Sequence, residues 1–219
     1  MVEATGGATG ARAELQTQLL AKAEEHLGKK DTYNLVKDDK KTGMKIWQTE
    51  LDGSFLTVSE YEAELVSVKA MKWYSDNDTT TVHKCNSNVT LEKLEEEDGT
   101  DIMYQHIKTP IIFANRAMIY AKYYNGSTPE GKLIRLGSDK GNEALYEKYA
   151  AKIGKDVQAA THLVYQLIEN TDKGAKITQV LHIDLGGSLP QMIQNKIASE
   201  QALGIIKTTD WVRKNYIPQ

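Results

Sequence analysis

The feature that most constrains this sequence is a strand that runs directly into a long helix, between residues 176 and 214. Apolar and polar residues alternate along the strand, as expected when one face of a sheet is buried and the other faces water. The apolar positions are Ile177, Leu181, Ile183 and Leu185, and the polar positions are Thr178, His182 and Asp184. Gly186 and Gly187 stop the strand. Ser188 is placed to cap the helix, because Gln191 follows three residues later and completes a capping box. A terminal strand of this kind needs a sheet to join.

The helix after these glycines has a narrow apolar face, formed by Leu189, Met192, Ile193 and Ile197. Lys196 and Glu200 interrupt this face, and Gly204 weakens the middle of the helix. Such a helix suits a lid over a sheet better than an element of a helical bundle.

Two Asp-Gly pairs predict hairpins, because Asp-Gly favours a tight turn between two strands. Asp52–Gly53 and Asp98–Gly99 each lie between two runs of strand composition. With the strands predicted further along, the sheet has eight or nine strands, antiparallel because hairpins join them. The predicted fold class is α+β: a curved antiparallel sheet that grips the long C-terminal helix.

One domain is predicted from residue 11 to residue 219, with residues 1–10 disordered because they offer little to pack. Residues 11–27 form an amphipathic helix in this prediction, ended by Gly28. Packing on the domain's own sheet explains its apolar face better than a membrane surface does, because it lacks aromatic anchors. The other predicted segments are helices at 66–78 and 142–154 and an irregular stretch at 76–88.

The composition is that of a soluble protein with a real core. Of 219 residues, 40% are hydrophobic and 26% are charged, and the formal net charge is −3, which gives no electrostatic reason to expect a nucleic-acid partner. The single cysteine, Cys85, excludes an internal disulfide and favours a reducing compartment. No apolar run is long enough to span a membrane, and the first residues lack a secretion signal. We expect a cytoplasmic protein, free or associated with an organelle.

No arrangement typical of catalysis or metal binding occurs in the sequence. The five histidines are scattered without metal-ligand spacing, and neither G-x-S-x-G nor G-x-x-x-x-G-K-[ST] is present. The run LGGSLP opens a helix and could hold a phosphate, but helix capping explains it without a ligand. The sequence therefore predicts no enzyme, no metal and no cofactor.

Two stretches match one family in their order and separation. The first is ITQVLHIDLGGSLP, followed by a helix that carries Asn195 and ends in WVRKN. The second, IMYQHIKTPIIFANRAMIYAKYY, looks like two strands around a Pro…Arg-Asp motif, with Pro110 and Arg116 present but Ala117 in place of the aspartate. Together they resemble START domains, the steroidogenic-acute-regulatory-related lipid-transfer family, over roughly residues 31 to 215.

The resemblance implies a hydrophobic cavity between the sheet and the C-terminal helix. START domains often hold an acidic and a basic residue facing each other on the strands of the second motif. By the resemblance, Gln105 takes the acidic position and Lys122 the basic one. A buried Lys122 without an acid needs a lipid headgroup, water or a route to solvent; the opposite parity would expose Lys122. The residues expected to contact lipid are Met103, Gln105, Met118, Tyr120, Lys122, Leu163, Tyr165, Leu181, Met192, Ile193 and Ile197.

Three functions follow from the resemblance. The first is non-catalytic binding and intracellular transfer or sensing of one sterol or phospholipid, with transient contact to a membrane surface. The second is a structural or accessory subunit that docks on a protein partner, which the missing aspartate after Arg116 and the amide of Gln105 favour mildly. The third, an enzyme on the related helix-grip fold, is the weakest, because no catalytic arrangement is present.

Overall fold

The computed structural model describes residues 10–109, 113–187 and 189–217. The prediction of disorder for residues 1–10 therefore lies outside the described residues except for Gly10, and Pro110 and Ser188 lie outside them as well.

The N-terminal helix is present and longer than predicted. Helix α1 (Ala11–Lys29) runs through Gly28 and ends in a 3₁₀ turn, Lys30–Thr32. The prediction that Gly28 ends the helix is wrong. A single glycine weakens a helix by only about 1 kcal/mol, and the burial of Ala23 and His26 on the sheet holds the last turns in place.

One sheet contains all ten described strands: β1 (Asn34–Asp39), β2 (Met44–Leu51), β3 (Ser54–Glu64), β4 (Val89–Glu97), β5 (Thr100–Ile107), β6 (Arg116–Ser127), β7 (Leu133–Ser138), β8 (Val157–Gln158), β9 (Ala160–Asn170) and β10 (Gly174–Asp184). Their order is β1-β2-β3-β10-β9-β7-β6-β5-β4, antiparallel throughout, and the two-residue β8 adds a parallel pairing to β6. The predicted antiparallel α+β fold is confirmed. The sequence undercounted the strands because β1 is mostly exposed and β8 is too short to show an alternation.

Both predicted hairpins are confirmed, between β2 and β3 and between β4 and β5. Asp52 and Gly53 have φ values of 53° and 77°, and Asp98 and Gly99 have 50° and 71°. Positive φ at both central residues is what a two-residue turn needs to match the twist of the flanking strands.

The remaining described helices are α2 (Val68–Asp76), α3 (Asp78–Cys85), α4 (Ala144–Lys148), α5 (Ala150–Ile153) and α6 (Gln191–Asn215). Helix α3 occupies most of the stretch predicted to be irregular. Its threonine run has a low helix propensity, but Thr81 is buried and its hydroxyl donates to the Asn77 carbonyl, so packing overrides propensity. Helix α6 begins directly after Pro190 without a side-chain cap.

The two faces of the sheet are covered by different helices. On the face that we call the α1 face, Leu19 and Ala23 of α1 pack on Leu163 of β9 and Val180 of β10. The opposite face, which we call the α6 face, packs against α2 and α6. Both faces are therefore buried over the middle of the sheet.

Helix α6 is anchored by its second half. Ala202, Ile205 and Val212 are buried against the α6 face, and the Trp211 ring stacks on Trp73 of α2 with centroids 5.9 Å apart. Residues 192 to 201 are only half-buried or exposed. The first half of α6 therefore depends on fewer packing contacts than the second.

Alternation along β10 predicts that its polar residues face water, but His182 does not. It lies on the α1 face and is 1% exposed. Its Nε2 atom lies 2.9 Å from the Ser54 hydroxyl and 3.2 Å from the Leu51 carbonyl, and its ring centroid lies 4.8 Å from that of His162. Burial, followed by the neighbouring His162, lowers the pKa of His182 to about 4.

We predict that His182 makes folding weaker in acid. An unfolded histidine binds a proton near pH 6.5, whereas the folded His182 does so only near pH 4. The stability present above pH 6.5 is therefore lost as the pH falls towards 4, by about 3 kcal/mol in total. Urea unfolding across this range measures it.

His182→Gln should flatten the pH dependence, because the amide does not titrate. His83→Gln removes an exposed imidazole on α3 and should leave the dependence as in the wild type. Equal slopes for the wild type and His182→Gln would contradict the assignment.

Candidate functional site

A cavity of about 410 Å³ lies between the α6 face and helices α3 and α6. The larger part of its wall is apolar and comes from strands and from the middle of α6, where the lining residues run from Ile197 to Thr208. The apolar lining includes Leu136, Val164, Leu181, Ile183, Leu185 and Ile197. Its volume lies within the range of about 300–1,000 Å³ typical of small-molecule sites.

The predicted bend between β10 and α6 is present at Gly186 and Gly187, whose φ values are 62° and 66°. A Cβ on Gly186 would lie 2.2 Å from the Gln158 carbonyl oxygen. A Cβ on Gly187 would make only ordinary contacts, with Val157 at 3.5 Å and Arg116 Nη2 at 4.0 Å. Gly186 is therefore fixed by both conformation and space, and Gly187 by conformation alone.

Arg116 holds this bend against the sheet. Its Nε donates to the Leu185 carbonyl at 3.2 Å and its Nη2 to the Gly186 carbonyl at 3.5 Å, while Nη1 donates to the Ala114 carbonyl. Among the described residues no carboxylate pairs with it, in keeping with Ala117 in place of the expected aspartate. Burial lowers the pKa of Arg116, but a guanidinium remains charged at neutral pH. Its role in this structure is to join β6 to the bend that precedes α6.

The polar part of the cavity is a network around one carboxylate oxygen. Asp78 Oδ2 accepts from Lys122 Nζ at 2.9 Å and from Arg135 Nη2 at 3.0 Å. Lys122 also donates to the Ser75 carbonyl at 3.3 Å, and Arg135 Nη1 donates to Gln166 Oε1 at 3.0 Å. Asp78 is 4% exposed. The network holds two cations and one anion.

Three elements bring these groups together. Asp78 is the first residue of α3, where the helix dipole favours a negative charge. Lys122 projects from β6 and Arg135 from β7, two neighbouring strands. Arg135 lies directly opposite Gln166 of β9 in the ladder, which explains their side-chain hydrogen bond.

Two tyrosines and the cysteine lie beside this network in neutral form. Burial raises the pKa of Tyr74 to about 12. Burial, and then the nearby Asp78, raises the pKa of Tyr120. Burial also raises the pKa of the Cys85 thiol. Asp78 is consequently the group that supplies negative charge to this end of the cavity.

The structure brings five of the predicted site residues into the cavity wall: Gln105, Tyr120, Lys122, Leu181 and Ile197. The parity predicted for β5 and β6 is the one observed. Lys122 does not face Gln105, however. Gln105 lies opposite Met118 in the ladder, and Lys122 lies opposite Asp101. The expectation of a buried lysine without an acid is wrong, because Asp78 arrives from a helix rather than from a strand.

The other predicted residues lie elsewhere. Leu163 and Tyr165 are on the α1 face, one residue out of phase with the cavity-lining Val164 and Gln166. Met192 is 77% exposed, so it does not form part of a roof. Met103 lies opposite Tyr120 in the ladder, on the α6 face, but outside the cavity lining. Met118 and Ile193 are also outside the lining and pack in one cluster with Leu185 and Leu189.

Sequence reasoning missed Asp78, Arg135 and Gln166. Arg135 could have been found from the sequence, because it interrupts the apolar strand LIRL. A charged residue in such a strand indicates either a polar group that points into the protein or a strand at the edge of the sheet. Asp78 had none, since its stretch was expected to be irregular.

Among the described residues, no cluster of side chains could hold a metal ion. In the same part of the chain, no helix has the length and apolar character to cross a membrane.

No family profile and no curated protein matches this sequence. Solved structures do match. Human STARD10 is 18% identical with a TM-score of 0.70, covering 98% of this chain and 84% of its own. Human StAR-related lipid transfer protein 5 is 12% identical with a TM-score of 0.74, covering 93% and 96%. A STAR-related lipid transfer protein from Xanthomonas axonopodis is 17% identical with a TM-score of 0.60, covering 83% and 98%.

These likenesses show the START-domain fold, a helix-grip architecture in which a large antiparallel sheet packs around a long C-terminal helix. At such low identity they show the fold alone. The fold expected from the two sequence stretches is confirmed.

We predict that Asp78→Asn destabilises the fold by about 3 kcal/mol, because it leaves two cations together without an acid. Urea unfolding measures the change, with the exposed Asp172→Asn as the control for loss of one carboxylate. Adding Lys122→Met to Asp78→Asn should recover part of the loss, since one unpaired cation is then removed. An Asp78→Asn protein as stable as the control would contradict this role for the network.

Proposed function

We propose that this protein binds one lipid molecule in the cavity under α6 and transfers it between membranes or senses it, without catalysis. The observation that carries the proposal is the cavity itself: an apolar wall with one buried polar network, in a fold shared with proteins named as lipid transfer proteins. A sterol or a phospholipid has the required form, a large apolar body with one polar group.

The apolar wall supplies the affinity in this proposal. A lipid that buries on the order of 400 Å² of apolar surface gains roughly 10 kcal/mol before ordering costs. Few polar contacts are then needed, and the network around Asp78 supplies them at one end. Close packing of protein interiors makes an unfilled apolar space costly, which favours an occupant.

Entry requires the first half of α6 to move. This half is less buried than the second half, which Trp211 and Val212 anchor. The bend at Gly186 marks where such a movement would begin. The proposal includes transient contact with a membrane surface, from which the lipid is taken, and a cytoplasmic location.

Organic extraction of the purified protein followed by mass spectrometry tests the function. One lipid per protein chain supports the carrier or sensor. No lipid, together with a large gain in stability on adding a protein partner, would instead support a structural subunit with lost or reduced transfer.

Ile197→Asp tests the role of α6. Ile197 lines the cavity, so a carboxylate there should lower lipid uptake from vesicles at least about tenfold, since a buried unpaired charge is costly. The matched control is Met192→Asp on the exposed side of the same helix, which should change uptake little. If both variants fold and take up lipid equally, the first half of α6 does not cover the bound lipid.

A further inference from the structure

The ionic network in the cavity is not balanced in charge. Lys122 and Arg135 share one oxygen of Asp78. Their remaining described partners, the Ser75 carbonyl and the Gln166 amide, are neutral. Asp101 lies opposite Lys122 in the ladder, but its carboxylate pairs with Lys93 Nζ at 2.5 Å. One positive charge therefore stays uncompensated at this end of the cavity.

The neighbouring titratable groups do not correct the imbalance. Tyr74, Tyr120 and Cys85 each have a pKa raised by burial, so they stay protonated and neutral near pH 7. Arg135 Nε is buried and has no hydrogen-bond partner, which shows that its protein neighbours leave this guanidinium only partly satisfied.

The same excess extends over the whole cavity lining, where five cations meet two carboxylates: Lys108, Arg116, Lys122, Arg135 and Lys207 against Asp78 and Glu200. The chain as a whole has the opposite sign, with a net charge of −3. The cavity is thus a positive site within a negative protein.

We infer that the lipid held in this cavity carries one anionic group, a carboxylate or a phosphate, which pairs with Lys122 and Arg135. This inference rests on the proposed function and narrows it to anionic amphiphiles. Both cations can be reached, because their side chains are 13% and 20% exposed. An anion there makes charge-assisted hydrogen bonds with both, which a neutral hydroxyl cannot equal.

Three ligands with the same tail test the inference: oleate, oleyl phosphate and the neutral oleyl alcohol. Equilibrium dialysis of radiolabelled ligand at about pH 8.5 keeps the carboxylate ionised. Oleate, oleyl phosphate or both should bind at least about tenfold tighter than oleyl alcohol. Which anion binds tighter assigns the group as carboxylate or phosphate.

The variant Lys122→Met should reduce this preference to less than about threefold, because Asp78 then neutralises Arg135 alone. The ratio of affinities separates charge recognition from general damage, which would lower both affinities together. Lys84→Met, which removes an exposed cation on α3, is the matched control and should keep the wild-type ratio.

Each outcome decides the inference. Equal affinity of the wild type for all three ligands would overturn the anionic assignment and leave lipid binding in place. Binding of none of them would overturn the anionic assignment, and the extraction experiment then decides separately whether the protein binds a lipid at all. A preference that survives unchanged in Lys122→Met would show that Lys122 does not pair with the anion. The comparison of the three ligands on the wild type tests the anionic assignment even if the variant does not fold.

Discussion

One carboxylate oxygen, Oδ2 of Asp78, holds the polar end of the cavity together. Lys122 and Arg135 lie on neighbouring strands and point to the same space, where two like charges would repel each other strongly in a medium of low polarity. Asp78 brings its charge to both from the N-terminus of α3. This contact joins the N-terminus of α3 to the strands β6 and β7 and allows charged groups inside an otherwise apolar wall.

Helix α6 combines two tasks in a single element. Its second half closes the core, with Ala202, Ile205 and Val212 buried on the sheet and Trp211 stacked on Trp73. Its middle, from Ile197 to Thr208, lines the cavity. The two tasks explain why the apolar face of this helix looks imperfect in the sequence: part of it packs on a space rather than on a surface.

The division between apolar wall and ionic network gives the proposed site its character. The wall gains free energy from any apolar body and distinguishes poorly between them. The network is small, mostly buried and charged, so in the proposed site it discriminates by the charge of the ligand's polar group. Such a site constrains the identity of few residues. This agrees with a fold that is shared with proteins only 12–18% identical in sequence.

Local rules in the sequence determined the hairpins at Asp52–Gly53 and Asp98–Gly99 and the strand-to-helix bend at Gly186, because each depends on residues adjacent in the chain. For β5 and β6 they left both parities open. The resemblance of two stretches to START domains added the architecture. Only the tertiary structure decided the site. Asp78 meets Lys122 across 44 residues and Arg135 across 57. Leu163 and Tyr165 pack in one cluster with α1, and His182 on the same face is buried rather than wet. Alternation says that two faces differ; which face meets a helix, a cavity or solvent is set by distant elements that no local pattern encodes.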